Sequence, residues 1–202
     1  MNDNVQNDYS TLKAHYRFTK EDEAFLLEMQ PTIEEFADDF LEGFYEFIWS
    51  FGKTADFLKD EEVLNRHKGK IRQWYLDLFK GTYDITYFLK LYKIGETHVR
   101  LGLPTHYVNA AFNFVRVFTN GKIHTHCKDS ETLTERIQAF EKILDINLDV
   151  LTSSYRQEEM SRYLALSVTD KTLLGWLKKT SSYFNYLLAG ALVVVASFAI
   201  GL

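Results

Sequence analysis

Two histidines, His67 and His98, hold positions in this chain that suggest chemistry. Each lies on the apolar face of a predicted helix, because apolar residues recur around it at three- and four-residue steps. These apolar positions are Val63, Leu64, Ile71, Trp74, Tyr75 and Leu78 around His67, and Tyr87, Phe88, Leu91 and Ile94 before His98. Burying an imidazole without a partner costs about 1–3 kcal/mol, so each histidine requires an explanation.

Two interpretations of the histidine pair are open. Each imidazole could be a core side chain that is bonded to a backbone carbonyl. Alternatively, two histidines on successive helices of an all-helical chain could ligate one flat metal cofactor from opposite faces. Haem iron accepts axial imidazoles in this way.

Helix-ending and helix-starting residues separate the elements that carry the two histidines. Lys80 and Gly81 predict the end of the first helix, through a cation and a left-handed cap. Asp84 can cap the start of the second helix, and Gly102 can close it. Pro104 then stops this helix and begins another.

The upstream part of the chain predicts three further helices. A short one is expected over Ser10–Tyr16, and a second begins at Thr19, where Asp22 completes a variant of the capping box. Pro31 is expected to separate this second helix from a third, which runs to about Phe51. The third carries an apolar stripe of Ile33, Phe36, Phe40, Phe44, Ile48 and Phe51, and Tyr45 lies beside it. Without further information, Tyr45 reads as a core tyrosine whose hydroxyl finds a carbonyl.

Downstream of Pro104 the pattern predicts two long helices. Gly121 either ends the first or only weakens it. His124, His126 and Cys127 then follow within four residues, but no second pair of ligands is available to complete a tetrahedral metal site. The next helix, predicted over Ser130–Arg162, has an apolar face that is wider than one neighbouring helix needs.

One stretch of sequence resembles a known family. The segment "LFKGTYDITYFLKLYKIGETHVRLGLPTHYVNAAF" is similar to the signature of globin-coupled sensor domains, and "FYEF" matches the distal element of that family. The resemblance covers roughly residues 9–160. It implies an all-α globin fold, a 3-over-3 helical sandwich with an extra N-terminal helix, and pairing of the last two helices into a homodimer bundle.

The resemblance also implies roles for individual residues. His98 would be the proximal haem ligand, Tyr45 the distal tyrosine that donates to a bound gas, and Tyr107 a residue that packs behind His98. The family often has leucine where this chain has His67, so we expect a bis-histidine, hexacoordinate haem b with His67 as the distal ligand. The cations flanking His67, Arg66 and Lys70, are candidate contacts for the haem propionates.

The C-terminal segment differs in composition from the rest of the chain. No charged residue follows Lys179, and Tyr183–Leu202 is a mostly apolar run long enough to cross about 30 Å of hydrocarbon. The lysines before the run place the preceding domain on the cytoplasmic side of the inner membrane. The predicted organisation is a flexible N-terminus (1–8), a sensor globin domain (9–165), a linker (166–180) and a transmembrane helix (181–202).

Composition narrows the function. The net charge of −5 and the lack of a basic stripe argue against nucleic acid as a partner. The single cysteine, Cys127, excludes a disulfide within the chain and a CxxC metal motif. The family resemblance then implies a haem sensor of oxygen, another diatomic gas or redox state. Its expected partners are the gas, a second copy of the chain, the membrane and a membrane or downstream signalling protein.

Three other functions remain open at this point. The chain could be a haem enzyme that acts on nitric oxide or peroxide, although no flavin or nicotinamide motif is present to resupply electrons. It could be an electron-transfer globin. It could also be a tail-anchored helical protein without a cofactor, in which both histidines are core residues.

Overall fold

The computed structural model describes residues 2–52, 58–128, 130–157 and 161, with side chains from Tyr9 onward. The chain divides into two compact units, Met1–Tyr155 and Arg156–Leu202, and almost all the described residues belong to the first. Helices are the only regular structure in the described ranges. They are α1 Asn2–His15, α2 Lys20–Glu35, α3 Ala37–Trp49, α4 Glu61–Asp77, α5 Ile85–Arg100, α6 Thr105–His126 and α7, residues 133–157.

Local sequence signals start and end several of these helices as predicted. The capping box before α2 is present: the Thr19 amide donates to the Asp22 carboxylate at 2.7 Å, and the Asp22 amide donates to the Thr19 hydroxyl at 3.3 Å. Asp84 accepts from the third amide of α5 at 3.0 Å. Gly102 directly follows Leu101, the C-cap of α5, and has a φ of +67°, where glycine is strongly favoured. The predicted cap at Lys80 and Gly81 is wrong: α4 ends at Asp77 with Leu78 as its C-cap, and Gly81, with a φ of +68°, lies in the following turn.

The boundary predicted at Pro31 is wrong. Helix α2 passes through Pro31, and the break to α3 comes at Phe36, whose φ and ψ are −102° and 6°. A proline inside a helix leaves the carbonyl four residues earlier, here that of Leu27, without its amide donor. Pro31 and Leu27 are both exposed, so water can satisfy that carbonyl and the helix continues.

Two further predictions about helix boundaries can be compared with the structure. Helix α1 begins at Asn2 instead of Ser10, and Gly121 lies inside α6 without ending it. The linker and transmembrane predictions (166–180 and 181–202) lie outside the described residues, and the domain bounds stay predictions. No helix in the described ranges has the length and apolarity to cross a membrane.

Helix α3 lies at the centre of the first unit. It packs against α4 on one side and α6 on the other, while α2 packs on both α3 and α4. Aromatic rings fill these contacts: Phe40 stacks on Tyr75 with centroids 3.7 Å apart, and Phe47 stacks on Phe114 at 5.1 Å. Helix α1 packs on α5, where Tyr9 stacks on Phe88.

Helix α7 fastens α4 and α5 to the rest of the unit. The buried amide of Asn147 accepts from the Trp74 indole of α4 at 3.2 Å and from the Tyr87 hydroxyl of α5 at 3.0 Å. Its nitrogen donates to the Ile143 carbonyl at 2.7 Å and to the Tyr87 hydroxyl oxygen at 2.8 Å, so the amide is fully used. The two helices that carry the histidines are therefore tied to one residue of α7.

A candidate site between two histidines

His98 projects from the last turn of α5 into an apolar environment. Its Nδ1 atom is enclosed and has no hydrogen-bond partner among the described residues. Burial lowers the pKa of His98 from 6.5 to about 4, and the nearby His67 ring adds a smaller effect in the same direction. The imidazole is therefore neutral near pH 7, and a neutral imidazole has a lone pair that can bind a metal.

His67, on α4, is paired with a buried tyrosine. The Tyr45 hydroxyl lies 2.5 Å from His67 Nδ1, and the two rings meet edge to face with centroids 5.9 Å apart. Burial lowers the pKa of His67, and the positive charge of Lys70 lowers it further. His67 is thus also expected to be neutral near pH 7.

Tyr45 lies on α3 and is 2% exposed. Burial raises its pKa well above the usual value of 10, so the hydroxyl keeps its proton. Trp49, one turn further along α3, contacts the ring at 5.5 Å between centroids, and the Lys68 ammonium lies over the ring at 5.5 Å. The partner of the Tyr45 hydroxyl is the His67 ring, so the carbonyl partner considered from sequence is replaced by an imidazole.

The helix faces around the two histidines offer apolar surface. On α4 the side chain of Tyr75 is buried, while Leu64, Ile71 and Trp74 are half-buried. On α5, Leu91 is buried, but Ile94 and Val99, beside His98, are half-buried. Helices α4 and α5 are not closely packed on each other. A flat apolar group with a metal centre fits this arrangement, because it would cover these apolar faces and could bind a neutral imidazole from each helix.

The remaining predicted site residues keep roles that are predictions. The Tyr107 ring stacks on Phe51 with centroids 4.8 Å apart, and its hydroxyl does not bond His98 Nδ1, which has no partner. Arg66 and Lys70 are exposed on α4, and Lys70 is close enough to act on the pKa of His67. Both cations are therefore available to a carboxylate that reaches the edge of the site.

Sequence reasoning missed four residues that shape the site. Lys68 and Trp49 cover Tyr45, and Asn147 joins α4 and α5 to α7. Gly95, one turn before His98, lies where a Cβ would collide with the Leu151 carbonyl of α7. Two signals were available, since Trp49 follows Tyr45 at a four-residue step and Asn147 is an amide on an apolar stripe.

The two histidines beyond Gly121 lie at the surface, and His126 has local partners. His126 Nδ1 lies 2.9 Å from the Lys122 carbonyl, and its ring lies against Phe36. His124 is exposed. In the part of the chain that the structure describes, no group of three or more His, Cys, Asp or Glu side chains could hold a metal ion.

The fold matches solved globin domains. The globin domain of the Geobacter sulfurreducens globin-coupled sensor superimposes with a TM-score of 0.69 at 44% identity, over 73% of this chain and 97% of that domain. The ferrous globin domain of E. coli DosC superimposes with a TM-score of 0.57 at 17% identity, over 74% of this chain and 99% of that one, which supports the fold alone. The predicted all-α globin fold is confirmed.

Sequence comparisons define the family. The model of the protoglobin family matches residues 6–161, which is more than half of the chain. The chain therefore belongs to the protoglobin family. It is also 32% identical over 98 residues to the heme-based aerotactic transducer HemAT of Halobacterium salinarum. That match spans 48% of this chain and only 19% of the transducer.

Proposed function

We propose that this protein is a haem-binding sensor of a diatomic gas or of redox state. Its relatives support the proposal, because one is named a heme-based aerotactic transducer and another a globin-coupled sensor. The observation that carries the proposal is the pair of neutral imidazoles, His67 and His98, on half-buried apolar faces of two helices.

The residues that would hold the cofactor follow from this arrangement. His98 would be the proximal ligand, His67 the distal ligand, and the apolar side chains of α4 and α5 would contact the macrocycle. Arg66 and Lys70 are the candidate partners of its carboxylates, and haem b is the form that needs no covalent attachment. When bound, haem supplies an iron centre that takes up diatomic gases and changes oxidation state.

His67 then controls access to the sixth coordination position. A gas can bind only to molecules in which the His67 imidazole is away from that position, so apparent affinity falls with the population of that state. Leu64 and Ile71 pack on either side of His67 along α4, so exchange of the imidazole is expected to shift this helix. The Trp74 bond to Asn147 offers a route from that shift to α7.

The output that we propose is a homodimer formed by α6 and α7 and connected to a membrane helix over residues 181–202. On α6, Val117 is 65% exposed and would be covered in such a dimer. In this proposal the globin domain faces the cytoplasm from the inner membrane. A membrane or downstream signalling protein would receive the signal.

Haem titration of the full chain in detergent tests the function. We expect uptake of one haem per chain, with the ferrous protein changing its visible spectrum on addition of carbon monoxide. Failure to take up haem would contradict the proposal. Multiple-turnover consumption of nitric oxide with an added reductant would instead favour a haem enzyme.

A further inference from the structure

We propose that Tyr45 is a positioning residue that favours the tautomer of His67 protonated at Nε2, and so weakens ligation of the iron by His67 without abolishing it. The inference rests on the proposed function, because it concerns the same haem site. Its new content is that the Tyr45 hydroxyl opposes ligation by His67, in addition to the gas contact that the family resemblance implies.

The hydrogen bond between the two side chains supports this assignment. A tyrosine hydroxyl carries its proton at neutral pH, and the Tyr45 oxygen lies 2.5 Å from His67 Nδ1. The described residues provide the Tyr45 hydroxyl with no second hydrogen-bond partner. Its proton is therefore satisfied when Nδ1 accepts it. A neutral imidazole whose Nδ1 accepts must carry its own proton on Nε2, and that nitrogen then has no lone pair for a metal.

Ligation through Nε2 would require the opposite tautomer. Nδ1 would carry the proton and donate it to the Tyr45 oxygen, as metal-bound histidines usually donate their second N–H. The hydroxyl proton of Tyr45 would then lose its acceptor in a position that is 2% exposed. Burying a hydroxyl donor without an acceptor is unfavourable, so the pair favours the state in which His67 is not a ligand.

Replacing Tyr45 with phenylalanine removes this bias. In that variant His67 lacks a partner at Nδ1 in either tautomer, so neither state is specifically stabilised. We therefore expect Tyr45→Phe to raise the ratio of His67-ligated to unligated ferrous protein by about ten- to one-hundred-fold. Tyr75→Phe is the matched control, because Tyr75, on α4, is buried like Tyr45 on α3, and its hydroxyl pairs with Thr119 at 3.2 Å, away from His67.

The first measurement needs no haem. Long-range proton–nitrogen NMR of the haem-free full chain, labelled with ¹⁵N-histidine, reports which ring nitrogen of His67 is protonated. We expect Nε2–H with Nδ1 as acceptor in the wild type, and loss of that preference in Tyr45→Phe but not in Tyr75→Phe. A wild-type His67 protonated at Nδ1 would overturn the proposal without any reference to a variant.

The second measurement uses the haem-loaded full chain without gas. We expect carbon monoxide to bind ferrous Tyr45→Phe more slowly than the wild type, because a larger share of the molecules has His67 on the iron. An unchanged or faster rate, or an equal slowing in Tyr75→Phe, would overturn the inference and leave the proposed function standing. A wild type that takes up no haem would reject both.

Discussion

Burial sets the protonation states of the three residues at the candidate site. His67 and His98 have lowered pKa values and Tyr45 a raised one, and in each case loss of water contact is the main cause. The result is two neutral imidazoles and one neutral phenol within a small volume. Neutral groups of this kind can exchange a proton or accept a metal without bringing an unpaired charge into an apolar site.

The lowered pKa of His98 predicts acid sensitivity of the haem-free chain. The unfolded chain binds a proton at His98 below about pH 6.5, whereas the folded chain binds it only near pH 4. The free energy of unfolding therefore decreases as the pH falls from about 6.5 to about 4, and the contribution of His98 to this decrease is complete below that range. Urea unfolding of the haem-free chain should show a lower midpoint at about pH 5 than at about pH 7.

The variant His98→Leu separates this effect from general acid denaturation. It lacks the titrating imidazole, so its midpoint should fall less over the same pH interval. The exposed His124, replaced in the same way, should leave the wild-type dependence intact. If the urea midpoint falls equally with pH in the wild type and in His98→Leu, the neutral, buried state of His98 is contradicted.

Distal ligation by His67 predicts the behaviour of His67→Leu. If the imidazole competes for the sixth position, its removal makes every molecule ready to bind, so carbon monoxide should bind the ferrous protein faster and in a single phase. Flash photolysis or stopped-flow mixing measures this directly. Equal rates in both proteins, with five-coordinate ferrous spectra for each, would show that His67 is not a ligand.

At the level of helices, α5 is fixed to α7 by a close backbone contact. A Cβ at Gly95 would collide with the Leu151 carbonyl and come within 2.9 Å of the Ser154 hydroxyl. Backbone on α7 cannot move aside as a flexible side chain would. Gly95 therefore sets the distance between α7 and the helix that carries His98 one turn later.

We expect Gly95→Ala to destabilise the fold by about 1–3 kcal/mol, because overpacking must shift one helix. It should also weaken haem retention by displacing His98. Gly121→Ala is the control, since Gly121 lies inside α6 with nothing within 4 Å of an added Cβ, and it should be neutral or stabilising by up to about 1 kcal/mol. Thermal unfolding of both variants measures the difference. If Gly95→Ala is as stable as Gly121→Ala, the close approach of Gly95 to the Leu151 carbonyl is contradicted.

The helices themselves were largely predictable because their signals are local. Thr19, Asp84 and Gly102 act within one turn of their own position, and each acts as its residue type indicates. The boundary predicted at Pro31 was wrong because the effect of this proline depends on whether the freed carbonyl faces water. That in turn depends on tertiary packing. The apolar helix faces that carry His67 and His98 could be predicted for the same reason as the caps, because helical periodicity is a local property of the sequence.

The contacts within the site could not be predicted in the same way. Nothing in the spacing of Tyr45 and His67 along the chain indicates that their side chains share a hydrogen bond. The same holds for Trp74 and Asn147, which are far apart in sequence and meet only when α4 packs on α7. The family resemblance indicated which residues matter, whereas the partner of each depends on packing between helices.

For the whole molecule, the membrane and dimer proposals concern different parts of the chain. The proposed dimer uses α6 and α7, which lie in the family match at residues 6–161, while the proposed span covers residues 181–202. A chain ending before Lys171 should therefore be soluble without detergent, bind haem and form a dimer. The full chain should instead float with lipid vesicles.

Sedimentation velocity and vesicle flotation measure these two properties separately. A shortened chain that is monomeric at high micromolar concentration would contradict the dimer. A full chain that stays in solution without detergent and does not float with vesicles would contradict the span. Either result would leave the haem site unaffected.

The most direct test of the central claim is the visible spectrum of the haem-loaded full chain, compared with His98→Ala and, as control, His124→Ala. The claim is that His98 and His67 hold one haem between α4 and α5. We predict one haem per chain in the wild type and His124→Ala, with six-coordinate low-spin bands, and loss of most haem from His98→Ala. Stoichiometric haem in His98→Ala with an unchanged spectrum would contradict the account.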